Sequence, residues 1–338
     1  MRRKPDLEDD KLIACLATNY NINAISTRFL QVGHDLDAFV YECVATTEIS
    51  YFVKIRAGAI HLPGLLVPRL LIEHGVPNIL APLRTRTQAL WCSIDNYSVI
   101  VYPFIRGENS MVAGLSADQW REFGATLHAV HSGGFASMLH GLVPTEMFSI
   151  PSAQLVRRLS IKIKGTGYRS PAAAQLASFW AVSARLIEHL VVRAEALGKQ
   201  LQSTQFDNVL CHADIHAANI MVSEGRQIYL VDWDGPLLAP RERDLLFVVG
   251  SRIARHVEPH EEELFFDGYG VVDVNMSALT YYRYERVIED IGEIAKRVLL
   301  DDILSEEMKA EEAKLFYSLF RPGQIVEATV EADQELVL

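Results

Sequence analysis

Apolar and polar positions along the chain change their period near residue 110. Residues 9–20 carry apolar side chains at helical spacing and predict a short helix. Thr27–Val32, Asp37–Ala45 and Ile49–Arg56 are rich in β-branched and aromatic residues, are parted by turn-like separators, and predict three strands in a meander. Between Pro63 and His74 the apolar residues Leu65, Leu66, Leu70 and Leu71 follow a proline suited to a first turn and precede Gly75, which predicts one helix with a defined stop. Two more strands are expected, Gln88–Ser93 and Tyr97–Ile105; the second is an almost continuous apolar run, as in a strand covered on both faces. Residues 1–106 therefore read as one small lobe closing at the Arg106–Gly107 connector.

From Ser116 the pattern is helical. Ser116 suits an N-cap, and Trp120, Phe123, Leu127, Val130 and His131 recur at helical spacing. Ser170-Pro171 opens a long helix whose apolar stripe runs through Leu176, Phe179, Trp180, Leu186, Ile187, Leu190, Ala194, Leu197 and Leu201, a core face rather than a cofactor site. Between 209 and 232 the runs VLCH, IMV and IYLVDW alternate with polar turns, and the chain is helical again to about 320. The pattern predicts an α+β, bilobal architecture: a small mixed-sheet lobe with one main helix over 1–106, and a larger, mostly helical lobe over 107–338 with a helical insertion at about 108–206.

Composition agrees with two lobes and narrows the partners. The 338 residues exceed the roughly 100–200 of one domain, and 49% apolar with 22% charged residues excludes disorder and short-repeat architectures. Cys15, Cys43, Cys92 and Cys211 form no C-x-x-C pair, which disfavours a disulfide framework or a cysteine zinc site. The start, MRRKPDLEDDKLIACLA, turns acidic too soon for a signal peptide, and no segment is apolar for long enough to span a membrane, so a cytosolic protein is expected. The net charge is −11, and residues 251–338 alone hold 20 Asp/Glu against 9 Lys/Arg. Nucleic acid is thereby disfavoured; the excess marks either a solvated acidic surface or a face for a cationic small molecule.

The stretch Cys211-His212-Ala213-Asp214-Ile215-His216-Ala217-Ala218-Asn219 matches H-x-D-x-x-x-x-N, the pattern in which a kinase Asp accepts the proton of the attacking hydroxyl and the Asn binds magnesium. Thirteen residues after Asn219, the apolar run Tyr229-Leu230-Val231 delivers Asp232, where a second magnesium ligand belongs. Separately these are ordinary turn and strand-end residues. In this order between apolar strands they point to phosphoryl transfer. His212 and His216 lack the glutamate of a zinc helix, so His212 is expected to brace the loop.

The segments HADIHAANIMV and IYLVDWDGPLLAPRERDL resemble the aminoglycoside phosphotransferase family, a branch of the protein-kinase-like fold. VIVYPFIRG, SADQWREFGATLHAVH and YYRYERVIEDI are similar in order and spacing to its spectinomycin phosphotransferase subgroup, and the resemblance spans about residues 10–320. It implies a cytoplasmic resistance enzyme, a monomer or homodimer, that uses ATP (or GTP) and Mg2+ to phosphorylate a hydroxyl of a small acceptor. Asp214 would be the catalytic base, with Asn219 and Asp232 the metal ligands. Lys54, otherwise an ordinary strand-end lysine, would meet the nucleotide phosphates together with Gly33. Backbone groups of Pro103 and Ile105 would hold adenine, although a buried edge strand reads the same way. Asp244 would anchor the catalytic loop, or else cap a helix. Asp234, Glu285, Glu289 and Asp290 would meet ammonium groups of the acceptor; for the last three the alternative is a charged helix face paired to Arg283 and Arg286.

Two departures stand out. The phosphate loop reads Gln31-Val32-Gly33-His34-Asp35, with one glycine where protein kinases have three. Between Ile55 and Ile72 there is no Asp or Glu to pair with Lys54, and the expected place reads Leu62-Pro63-Gly64-Leu65. Either Glu73 takes that part or nucleotide alone holds the lysine. Eleven residues between Asp232 and Asp244 leave no room for a protein kinase's activation loop, so a small acceptor is expected; a metabolite kinase for an amino alcohol or sugar, and a nucleotide-binding pseudokinase, are the alternatives.

Overall fold

The computed structural model describes residues 4–31, 38–165 and 167–336. It divides the chain into two compact units: Met1–Val143 with His212–Leu237 and Glu263–Gly270, and Pro144–Cys211 with Leu238–Glu262 and Val271–Leu338.

The first unit begins with α1 (Asp9–Tyr20), β1 (Ala24–Leu30), β2 (Ala38–Ala45), β3 (Ser50–Ala57), α2 (Leu62–Glu73), β4 (Cys92–Ile94) and β5 (Tyr97–Pro103). The strands form one sheet in the order β1-β2-β3-β5-β4. Where a mixed sheet was expected, every pairing among the described residues is antiparallel; a hairpin joins β2 to β3, and the α2 connection returns the chain to run antiparallel to β3. The strand expected over Gln88–Ser93 is shorter and later. Gln88 has φ +67 and donates its N–H to Thr85 in a turn, which leaves only Cys92–Ile94 to pair with β5.

Alternation along β3 and β5 sorts side chains onto two faces. Val53, Ile55, Val99 and Val101 join Leu12 and Leu16 of α1 in one core. Ile100 turns the other way, against Leu65 of α2 and Leu90, so β5 is covered on both sides as its apolar run predicts. Lys54 shares the register row Val40–Lys54–Ile100. The four cysteines are free, with the Cys15 and Cys92 sulfurs 3.3 Å apart.

After β5 come β6 (Gly107–Asn109), α3 (Ser110–Ala113), α4 (Ala117–Ser132) and α5 (Phe135–Leu139). Ser116 and Gln119 close a capping box at the start of α4. Next in the chain, α6 (Pro151–Gly165), α7 (Pro171–Leu201) and β7 (Val209–Cys211) belong to the second unit. The first unit resumes with a 3-10 turn (Ala217–Asn219), β8 (Ile220–Ser223) and β9 (Ile228–Leu230). β6, β8 and β9 make a small antiparallel sheet that carries the loops bearing Asp214, Asn219 and Asp232. Gly107, at φ +156, lies so close to the Val222 carbonyl that a Cβ would collide with it.

β10 (Leu237–Ala239), α8 (Glu242–Leu245), α9 (Pro259–Tyr269), α10 (Met276–Leu300), α11 (Glu306–Leu319) and α12 (Ile325–Glu335) complete the chain. In the second unit the stripe of α7 is core, as its spacing predicts: Trp180 stacks on Phe316 of α11, and Leu176, Ile187, Leu190 and Leu197 are buried. Leu186 is 38% exposed and Phe179 half-buried. Arg193 of α7, Tyr284 of α10 and Asp333 of α12 form a polar clamp in which the guanidinium donates twice to the carboxylate, both at 2.7 Å. No described helix is long and apolar enough to cross a membrane.

Candidate active site

The stretch from His212 to His216 leaves β7 without regular structure, its backbone bending at Ala213, φ +72, a conformation that L residues with a Cβ adopt at a cost of about 1–2 kcal/mol. Asp232, at φ +63, repeats the strain in the loop after β9. Both outliers fall at the carboxylates singled out in the sequence, where strain sets the aim of a side chain rather than the run of the chain.

Hydrogen bonds order these loops and join them. His212 is fully buried, its Nε2 lies 2.9 Å from the Val231 carbonyl and its Nδ1 3.3 Å from the Asp214 N–H. A carbonyl only accepts and an amide only donates, so Nε2 is the donor and Nδ1 the acceptor in these two contacts. The Val231 N–H donates to the Asn219 carbonyl at 3.0 Å. Trp233, 2% exposed, lies against the His212 ring with centroids 4.4 Å apart and donates to the Leu230 carbonyl, which wedges the loop between Asp232 and Asp234.

The Asp214 side chain is 43% exposed and lies 3.6 Å from His216 Nε2. Asn219 donates through Nδ2 to the Asp214 carbonyl, 2.7 Å, and reaches its carboxylate at 3.4 Å. That orientation leaves Oδ1 as the atom Asn219 can offer elsewhere. Burial, and then the charge of Asp234, push the Asp232 carboxyl above its usual range, while Lys54 pulls it down. Asp232 is repelled by Asp234 and Asp214, and the Asn219 amide is bonded to Asp214; carboxylate and amide oxygens are hard donors whose repulsion a divalent cation relieves, so the residues fit Mg2+.

Lys54 points from β3 toward the same loop. Its ammonium donates to Asp234 Oδ2 at 2.8 Å and lies 3.9 Å from Asp232 Oδ1. Asp234, expected at the acceptor, is thus engaged with Lys54. Glu73, the other candidate partner, accepts instead from Arg69 and Arg84 at the end of α2. The space for the Asp234 loop comes from Gly64, where a Cβ would stand 2.9 Å from the Trp233 carbonyl oxygen and 3.2 Å from the Asp234 Cα. Trp233 and Gly64 were not singled out as site residues; a glycine inside an apolar helical run is the one signal that pointed to a close approach there.

Pro103 pairs with Tyr51 at the end of β5, and Ile105 lines a shallow depression with Ile49, Ser50, Phe104 and Tyr229. Gly33 lies outside the described residues. Asp244, Glu285, Glu289 and Asp290 belong to the second unit. Asp244 is fully buried in α8. Glu285 is paired with Arg243 rather than with Arg283 or Arg286, Asp290 pairs with Arg286 one turn away at 3.1 Å, and Glu289 is exposed.

A family model described as a phosphotransferase enzyme family matches residues 29–283. Among solved structures, a spectinomycin phosphotransferase in complex with ADP and spectinomycin is similar with a TM-score of 0.87 and 32% identity, over 98% of this chain and 100% of that one. An AMP-bound spectinomycin phosphotransferase gives 0.84 and 31%, over 96% and 98%. Protein StrN of Streptomyces griseus is 27% identical over 191 residues, 54% of this chain, and the match spans 59% of that protein's length.

Proposed function

The chain belongs to the phosphotransferase enzyme family and, within it, to the aminoglycoside phosphotransferases, and from that premise we propose that it moves the terminal phosphoryl group of ATP onto a hydroxyl of spectinomycin or a related aminocyclitol. The observation that carries the chemistry is the joining of Asp214, Asn219 and Asp232 through the Val231 backbone and His212. What supports the acceptor is similarity over the whole chain to a phosphotransferase solved with spectinomycin.

In this reading Asp214 accepts the proton of the acceptor hydroxyl as the new O–P bond forms and the bond to ADP breaks. Asn219 orients that carboxylate through Nδ2, and its Oδ1 and the Asp232 carboxylate would hold Mg2+, which supplies charge neutralisation on the phosphates when bound. Lys54 adds a point charge to the same phosphates. His212, with its proton committed to the Val231 carbonyl, fixes the Asp214 backbone and takes no part in proton transfer. Backbone groups at Pro103 and Ile105 receive adenine. Residues 1–106 then serve the nucleotide and 107–338 the chemistry and the acceptor, in a cytosolic enzyme supplied with ATP. A cationic acceptor suits a chain whose whole charge excess lies in residues 251–338.

An acceptor screen for ADP release with MgATP tests this, using spectinomycin, other aminoglycosides, choline and small neutral sugars. Release is expected with spectinomycin. Efficient turnover of choline or a neutral sugar with none on spectinomycin would overturn the acceptor and leave the phosphotransferase chemistry standing; release with no acceptor in a broad screen would overturn both.

A further inference from the structure

Resting on that nucleotide reading, we propose that Asp234 is the positioning residue for Lys54, in the place where kinase-like folds use a helix carboxylate, and that Gly64 makes the substitution possible. The Lys54 side chain is 16% exposed, and an ammonium so far withdrawn from water requires a counter-charge held close. Helix α2 supplies none: it has no Asp or Glu from Leu62 to Ile72, and Glu73 answers to Arg69 and Arg84. The counter-charge arrives from 180 positions further along the chain, in the loop wedged by Trp233, with Asp234 Oδ2 at 2.8 Å.

Gly64 explains how the loop reaches so far in. Glycine is a poor helix residue, and the backbone at 64 is not left-handed, so its conformation does not require it. Space does: the Trp233 carbonyl and the Asp234 Cα occupy the volume that any Cβ would need. Lysine and metal-binding carboxylate are thereby set by one short loop, Asp232-Trp233-Asp234, in which Asp234 aims the lysine and Asp232 follows Val231, whose N–H donates to the Asn219 carbonyl.

A double-mutant cycle on ADP binding, read by calorimetry on the full chain without Mg2+, tests the coupling. Lys54→Met is expected to weaken ADP binding by about tenfold or more in the parent, as for loss of a charged hydrogen bond, and by less than about threefold in an Asp234→Asn background, where the lysine is no longer aimed. Gly64→Ala keeps both charges but pushes the loop away, and is expected to reduce the Lys54→Met effect in the same way; it carries the test if Asp234→Asn does not fold. Equal losses in all backgrounds, or a larger loss in Asp234→Asn because the carboxylate only competes with phosphate, would overturn the proposal. So would a Mg2+-induced gain in ADP affinity that disappears in Asp234→Asn, since Asp234 would then be a metal ligand; that gain is expected to stay within about twofold of the parent's. A parent that binds no ADP, or that ignores Lys54→Met, overturns the nucleotide reading itself, an outcome distinct from a parent that responds while Asp234 does not.

Discussion

Asn219 grips Asp214 at two points with one nitrogen: Nδ2 lies 2.7 Å from the Asp214 carbonyl and 3.4 Å from its carboxylate. The shorter bond fixes the backbone and the longer one steers the side chain, which His216 Nε2 approaches to 3.6 Å.

Asp214→Asn preserves that shape and removes the proton acceptor. Turnover is expected to fall by about 10²–10⁴, while ADP affinity stays within about threefold, because general-base help is lost and phosphate binding resides in other residues. Turnover within about tenfold of the parent would remove Asp214 from the role.

Asp232→Ala should abolish the gain in ADP affinity on adding Mg2+, measured by calorimetry with and without EDTA. The same change relieves left-handed strain of about 1–2 kcal/mol little, since alanine also bears a Cβ. Unaltered metal dependence would make Asp232 a purely structural turn residue.

Glu73→Gln is expected to leave the Michaelis constant for ATP within about twofold of the parent, the spread usual for sites without a shared partner. Its carboxylate pairs with Arg69 and Arg84, and Lys54 has Asp234. A large rise would transfer the positioning of Lys54 to Glu73.

The Arg193 guanidinium, with help from the Tyr284 hydroxyl, holds the Asp333 carboxyl below its usual range. A depressed folded value contributes stability that is present above the unfolded value, about pH 4, and is lost as pH falls through the folded one. Urea unfolding of Asp333→Asn should show lower stability at pH 7 by about 1.5–3 kcal/mol and a shallower loss between pH 4 and 2 than the parent. An unchanged acid limb would mean that other carboxylates carry it.

The elements most legible in the sequence were those with local signals. Ser116, and Ser170 with Pro171, announced α4 and α7 because a cap bonds within three residues of itself. Asp214, Asn219 and Asp232 were legible as a spaced motif, and the loops bearing them lie together. The partner of Lys54 was not legible, since no period or spacing connects positions 54 and 234; only the folded chain juxtaposes them. Nor were the left-handed turns at Ala213 and Asp232, for which neighbouring residues prescribe an ordinary backbone. The strand placed at Gln88–Ser93 failed for a related reason: β propensity there yields to a turn closed by Thr85 and Ala89.

The contact between Gly64 and the Asp234 loop ties two distant codons to one fate. A lineage that enlarges residue 64 displaces the loop, and a carboxylate at 234 then has no lysine to aim; a lineage that recovers an acid on α2 no longer needs the glycine. Across descendants of this gene, glycine at 64 and an acid at 234 should therefore be inherited and lost as a pair, and the order of loss is set: residue 234 drifts freely only after the helix has found its own carboxylate.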